Sequence, residues 1–149
     1  PRRGRLEEIH APPRIIVDGA HTPDSIRATL RATGAHLKYD SMVVIFGCAS
    51  DKDVDGMLSE LSRGADKVIF TKSSLNPRAM DPHELAARFS EMDEAPMVQV
   101  EPTLKEAINA AGRAVQPQDA ILITGSFYLA GEAKALFEQK RTQGAEGRA

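Results

Sequence analysis

Five short apolar runs, each separated from the next by a stretch with helical spacing, constrain this chain more than any other feature. They are Ile15-Ile16-Val17, Met42 to Phe46, Val68 to Phe70, Met97 to Val100 and Ile121 to Thr124. The runs are rich in β-branched residues and mostly lack the polar alternation of a half-exposed strand. They therefore predict strands covered on both faces of a sheet. The intervening segments carry apolar stripes at helical intervals. Ile26, Leu30, Thr33 and Leu37 form one stripe; Val54, Met57, Leu58 and Leu61 form a second. Leu85, Ala86 and Phe89 form a third, Leu104, Ala107, Ile108 and Ala111 a fourth, and Leu129, Ala133, Leu136 and Phe137 a fifth. Thr22-Pro23 and Asp81-Pro82 each place a capping side chain before a proline at the first helical position. Thr103 and Glu106 have the spacing of a capping box.

This alternation predicts an α/β domain of three layers: a mostly parallel, Rossmann-like sheet of about six strands with helices on both faces. A short strand within Arg5 to Ile9, ahead of Pro12-Pro13, completes the sheet. One domain is expected to span residues 1–149, with 1–12 as a lead-in segment and a polar, glycine-containing tail over 141–149 that frays. The first residue is Pro1 rather than methionine, so a piece of a longer chain is expected.

Composition removes several function classes. A net charge of −2 offers no basic face for neutralising phosphates, so no nucleic-acid partner is expected. A single cysteine, Cys48, cannot form an intramolecular disulfide and points to a reducing, cytoplasmic setting. No apolar stretch approaches the roughly 20 residues a membrane span needs, so no membrane partner is expected. His10, His36 and His83 lack a ligand spacing, and no metal site is predicted within the chain.

In an open α/β sheet, ligands bind beyond the carboxyl ends of the strands. That rule selects four loops: Asp18 to Thr22, Gly47 to Asp53, Thr71 to Arg78, and Gly125 to Tyr128. Three of them contain a glycine beside polar residues, which suits close approach of backbone to a ligand.

The residues in these loops carry a family resemblance. Asp18-Gly19-Ala20-His21-Thr22-Pro23 resembles the Asp-Gly-Ala-His-Asn-Pro signature of the folylpolyglutamate and dihydrofolate synthases, related forms of which run through the Mur ligases. Gly4-Arg5-Leu6-Glu7 is similar to the segment that enters the C-terminal domain in that family. Phe46-Gly47 followed by Asp51-Lys52-Asp53 looks like a second family loop, and Asn76-Pro77-Arg78 resembles the amino-acid-binding loop of some Mur ligases. Gly125-Ser126-Phe127-Tyr128-Leu129-Ala130-Gly131 is similar to a segment near the C-terminus of the folate enzymes. The five matches occur in family order over nearly the whole chain. Asp-Gly-Ala-His and the last segment favour the folate branch. Thr22 stands where the family usually has asparagine; a threonine still caps the helix that Pro23 opens, whereas a carboxamide contact to nucleotide would be lost.

The resemblance implies the C-terminal lid of an ATP-dependent ligase that joins glutamate to a folate through an acyl phosphate. The substrate would be tetrahydrofolate, dihydropteroate or both. ATP and Mg2+ are the implied cofactors, folate and glutamate the substrates, and an upstream ATPase domain of the same polypeptide the partner that holds the metal. The phosphate-binding motif Gly-x-x-x-x-Gly-Lys-Ser/Thr is absent from these residues, so the isolated chain is expected to be inactive. The implied catalytic residues are Arg5 and His21, and Asp18 joins them in binding nucleotide. Arg78, Asn76 and Ser126 are implied on the amino-acid side, with Asp51, Lys52, Asp53 and Tyr128 as further candidates. Structural roles stand beside these: a solvated arginine for Arg5, a turn cap for Asp18, helix-start charges for Asp51 to Asp53, and a helix cap for Ser126. Cys48, with no basic partner evident, reads as a small inert filler. The other functions open to this sequence are the C-terminal domain of a peptidoglycan Mur ligase and a free-standing nucleotide-binding module.

Overall fold

The computed structural model describes residues 7–10, 13–92 and 95–148. In chain order its elements are β1 (Glu7–His10), β2 (Arg14–Val17), α1 (Pro23–His36), β3 (Met42–Phe46), α2 (Val54–Gly64), β4 (Lys67–Phe70), α3 (Pro82–Ser90), β5 (Met97–Val100), α4 (Leu104–Ala114), β6 (Ala120–Thr124) and α5 (Phe127–Arg148). Each apolar run falls in one of the strands β2 to β6. Those five pair in parallel in the order β2-β6-β3-β4-β5. β1 joins the β2 edge antiparallel, with an irregular register between Glu8 and His10. The predicted lead-in strand thus lies over residues 7–10, while Arg5 and Leu6 lie outside the described residues.

Successive strand residues point to opposite faces, and here both faces are covered. Ile16, Val44, Phe46, Val68, Phe70 and Leu122 pack with Ile26, Met57, Leu58, Leu61, Leu85 and Phe89, the stripes of α1, α2 and α3. Ile15, Val17, Val43, Ile45, Ile69, Ile121 and Ile123 pack with Leu104, Ala107, Ala111, Leu129 and Ala133, the stripes of α4 and α5. On the first face, Phe46, Phe70 and Phe89 contact one another edge-on, with ring centroids 6.1 Å and 5.4 Å apart. Each such ring adds a geometric preference to the apolar area it buries.

The helix starts follow their capping signals. The Thr22 hydroxyl accepts the Ser25 N–H at 3.1 Å and Ser25 Oγ accepts the Thr22 N–H at 3.0 Å, so Thr22 retains the structural role of the asparagine it replaces. Asp81 caps α3 through the His83 N–H, and Thr103 caps α4 through the Glu106 N–H. Leu37, at the end of the first stripe, is extended and terminates α1 rather than continuing it. α5 runs to Arg148, so the polar residues after Lys140 take helical backbone where composition suggested a frayed tail.

α1 and α2 are joined by a polar contact as well as by packing. Arg27 on α1 donates through Nε and Nη2 to Glu60 Oε1 on α2, at 3.0 and 2.9 Å, and Glu60 is 7% exposed. The Arg27 hydrogen bonds hold the Glu60 carboxyl below its ordinary value of 4.5, overcoming the opposite effect of burial. Because the folded value is depressed, the stabilisation is present above pH 4.5 and is lost as pH falls through the folded value. Glu60→Gln is therefore expected to lower the urea midpoint at pH 7, with the gap from the parent protein narrowing towards pH 3. Equal midpoints at neutral pH would remove the pair as a stabilising contact.

Candidate functional site

The topology creates a crevice on each side of β6. From β2 to β5 the chain moves through α1, α2 and α3 on one face, and α4 then returns it on the other face to insert β6 between β2 and β3. The loops after β2 and β3 consequently turn onto one face, while the loop after β6 turns onto the opposite one. Such a switch point opens a cleft at the carboxyl ends of the strands.

Backbone bonds and two glycines hold the three loops together. Asp18 N–H donates to the Ile123 carbonyl at 3.0 Å, Gly125 N–H to Ala20 at 3.0 Å, and Gly47 N–H to Thr124 at 3.3 Å. Gly125 has φ of 120°, and a Cβ there would collide with the Gly47 carbonyl oxygen. A Cβ on Gly47 would sit 2.6 Å from the Thr71 carbonyl oxygen. Only glycine permits both the backbone angle and the approach.

Asp18 is 3% exposed, and its Oδ1 accepts the Ala20 N–H at 2.7 Å, an Asx turn that sets the loop's direction. His21 Nδ1 lies 3.0 Å from the Gly19 carbonyl oxygen. A carbonyl only accepts, so this bond places a proton on Nδ1 and leaves Nε2 as the ring nitrogen available to a ligand. Ser25 Oγ accepts the His21 N–H at 3.1 Å, and the His21 ring contacts Phe127 at 4.7 Å between centroids.

Two adjoining cavities share His21 and Phe127. One, of about 190 Å3, is lined by Asp18, Gly19, His21, Ser25, Thr29 and Phe127 among others. The other, of about 130 Å3, brings His21 together with Lys52, Asn76, Ser126, Phe127 and Tyr128. The fold thus gathers six candidates named from sequence: Asp18, His21, Lys52, Asn76, Ser126 and Tyr128. Ser126 has a structural task as well, since its Oγ accepts the Leu129 N–H at 2.9 Å and caps α5.

Of the other candidates, Arg78, Asp51 and Asp53 line neither of these two cavities. Arg78 is exposed and donates through Nη1 to Asp51 Oδ2 at 3.0 Å. Its loop is bound to the neighbouring one, since Ser50 N–H donates to the Arg78 carbonyl at 2.8 Å and Asn76 Oδ1 accepts the Arg78 N–H at 3.0 Å. Asp53 caps α2 through the Gly56 N–H at 3.0 Å. Arg5 lies outside the described residues. Burial pushes the Cys48 thiol up to about 12, against a smaller opposing pull from Arg88, so this sulfur stays protonated and inert. Among the described residues, no three His, Cys, Asp or Glu side chains gather as a metal cage. No helix of the described residues is long and apolar enough to cross a membrane.

Sequence reasoning passed over three participants. Ser25 stabilises the His21 turn, Phe127 walls both cavities, and Glu132 on α5 binds the loop after β4. Phe127 had a legible signal, an aromatic residue two positions after a strand-end glycine; Glu132 had none, because its partners lie 58 and 59 residues away in sequence.

Comparison with known proteins places this geometry in a family. The family model described as "Mur ligase, glutamate ligase domain" matches residues 4–127. Dihydrofolate synthase/folylpolyglutamate synthase of Mycobacterium tuberculosis is 31% identical over 90% of this chain and 30% of its own length. UDP-N-acetylmuramoyl-L-alanyl-D-glutamate--2,6-diaminopimelate ligase of Synechococcus elongatus is 32% identical over 92% of this chain and 29% of its own. The crystal structure of M. tuberculosis folylpolyglutamate synthase complexed with ADP and AMPPCP superimposes with a TM-score of 0.85 at 31% identity, over 92% of this chain and 32% of that one. The chain therefore spans about 30% of the length of these curated relatives.

Gly125→Ala is expected to destabilise the domain by about 1–3 kcal/mol, since an alanine at that backbone angle is strained and the loops after β3 and β6 must also part. Thermal or urea unfolding measures it, and a midpoint unchanged from the parent would show that the close approach is dispensable.

Proposed function

From the fact that the chain belongs to the Mur ligase, glutamate ligase domain family, we propose that it is the C-terminal lid of an ATP-dependent ligase that adds glutamate to a folate. The observation that carries this reading is the pair of cavities at the switch point, where Asp18 and His21 line one wall system and Asn76, Ser126 and Lys52 the next. One compartment suits a nucleotide end and the other an amino acid, with His21 between them. The adenine-nucleotide complex of the M. tuberculosis enzyme supports the nucleotide assignment, and the Gly125 to Gly131 segment supports the folate branch.

In this mechanism the folate carboxylate oxygen attacks the γ-phosphorus of ATP, ADP leaves, and the amino group of glutamate then attacks the acyl carbon and expels phosphate. Charge spreads over the phosphoryl oxygens in transit, so catalysis rests on positioning and on cations. Arg5 and His21 would supply donors to those oxygens, and Asp18 would orient nucleotide hydroxyls. Arg78 retains four N–H donors beyond the Nη1 proton that faces Asp51, and a planar guanidinium suits the α-carboxylate of an amino acid. Asp51 then serves to orient Arg78. Mg2+ would offset the phosphate charge, and the family resemblance assigns its ligands to the upstream domain. A cytoplasmic location fits a substrate set of folate, ATP and glutamate.

A Mur ligase reading is favoured by one observation: the Synechococcus relative matches at 32% identity, as well as the folate enzyme does. Acceptor assays with the full-length protein separate the two. Glutamate-dependent ligation to tetrahydrofolate or dihydropteroate supports the folate reading, and ligation only to a nucleotide-linked muramoyl peptide overturns it.

The 149-residue chain alone is expected to form no glutamyl product from ATP, glutamate and either folate acceptor. Turnover by this chain would sink the lid assignment. In the full-length ligase, Arg78→Ala should raise the KM for glutamate about 10–100-fold, the worth of a charge-assisted carboxylate contact, while the KM for ATP changes little. A rise confined to ATP would put the loop on the wrong substrate.

A further inference from the structure

We infer that Glu132 is a positioning residue for the amino-acid-binding loop, a deepening of the ligase reading on which it rests. The loop between β4 and α3 offers little apolar surface to hold it in place. Within residues 73–78, Ser74, Leu75, Pro77 and Arg78 are exposed, Leu75 by 60%, and the buried Ser73 and Asn76 are polar; the loop's apolar anchor, Met80 at 6% exposed, lies at its far end beside α3. Hydrophobic burial therefore does not order residues 73–78; hydrogen bonds must.

The carboxylate of Glu132, on the second turn of α5, supplies them. Its Oε1 accepts from Ser73 Oγ at 2.8 Å and from the Ser74 N–H at 3.1 Å, and its Oε2 accepts from Ser74 Oγ at 3.4 Å. The first two are charge-assisted and of good length; the third is weaker. The bonds continue along the loop from Ser73. Its Oγ accepts the Leu75 N–H at 3.1 Å and its carbonyl accepts the Asn76 N–H at 3.4 Å, and Asn76 in turn binds the Arg78 N–H through Oδ1 at 3.0 Å. Ser50 N–H then donates to the Arg78 carbonyl.

Glu132 itself lines neither cavity, yet Ser126, six residues earlier on the same segment, shares a cavity wall with Asn76. The clamp thus ties the Asn76-Pro77-Arg78 loop to the helix that begins at the ligand crevice. Its predicted effect falls on one substrate. Loosening the loop lowers the fraction of protein in which Asn76 and Arg78 stand ready, and apparent amino-acid affinity falls by that fraction. The nucleotide wall, built from the loop after β2, keeps its own bonds.

The test uses Glu132→Gln and Ser73→Ala in the full-length ligase, with steady-state kinetics for each substrate and hydrogen exchange of the backbone amides of residues 74–79. Expected results are faster exchange across that loop and an amino-acid KM raised about tenfold, with kcat and the KM for ATP within about twofold of the parent. If Glu132→Gln fails to fold, Ser73→Ala carries the same test. Loop exchange at the parental rate would overturn the clamp. Faster exchange with an unchanged amino-acid KM, or with both KM values raised in parallel, would overturn its role in positioning. A parent enzyme that hydrolyses ATP but accepts no amino acid would instead defeat the ligase reading, and the exchange rates would still report on the clamp.

Discussion

The passage of Gly125 against Gly47 is the contact on which the upper rim of this domain depends. β6 is the last strand in sequence but lies between β2 and β3, so its exit must cross the exits of strands already in place. Loops on both sides come within backbone contact, and there is no room for a Cβ at either glycine. A bulkier residue would push the β6 exit away from Ala20 and Gly47, taking Ser126 and Phe127 out of the walls they share with His21. The cleft is thus a consequence of strand order, and the glycines are what make that order sterically possible.

Once the crossing is made, a set of side-chain acceptors holds the rim. Asp18, Ser25, Asn76, Ser126 and Glu132 each accept at least one backbone N–H from a turn or helix start. Loop N–H groups left unpaired near a buried site cost as much as a lost hydrogen bond, and a flexible loop would also have to be ordered each time a ligand bound. Supplying the acceptors from within removes both costs before any ligand arrives. Several of these residues therefore hold the rim and line the cavities at once. For Ser126, the helix-capping and cleft-lining roles proved compatible rather than exclusive.

Sequence made the layers legible because a strand covered on both faces is continuously apolar, and because α1 and α3 announced their starts by a cap and a proline and α4 by a capping threonine. The buried strands β2, β3, β4 and β6 and the stripes of α1 to α5 follow from that, whereas β5, at the sheet edge, is only half-buried and leaves Met97 69% exposed. The loops were legible where a residue acts locally, as Asp18 does over two positions and Asp53 over three. What escaped was long-range: Arg27 with Glu60 across 33 residues, and Glu132 with Ser73 across 59. No periodicity or spacing rule links such partners, since only the strand order decides which loops meet. Composition weights the polar residues after Lys140 towards a frayed end, while the backbone there is helical to Arg148 and continues a helix packed at Leu129 and Ala133.

The rim also carries an imbalance that bears on how such a site would work. Leu75, on the loop after β4, is 60% exposed, and Phe127 and Tyr128, in the first turn of α5, are 58% and 50% exposed. Scattered exposed apolar residues need no explanation, but Phe127 lines both cavities and Tyr128 lines one. In the proposed ligase, closure onto an upstream domain would cover them. Their burial, roughly 25 cal/mol for each Å2 of apolar surface, would then favour the closed state in which phosphoryl transfer is shielded from water. Interactions that mature only on closure leave the open form free to admit substrate and release product. A domain without its own phosphate loop would suit that division: in the proposed ligase it would keep a bonded rim, hold its apolar contacts in reserve, and complete a catalytic site only when a second body arrives.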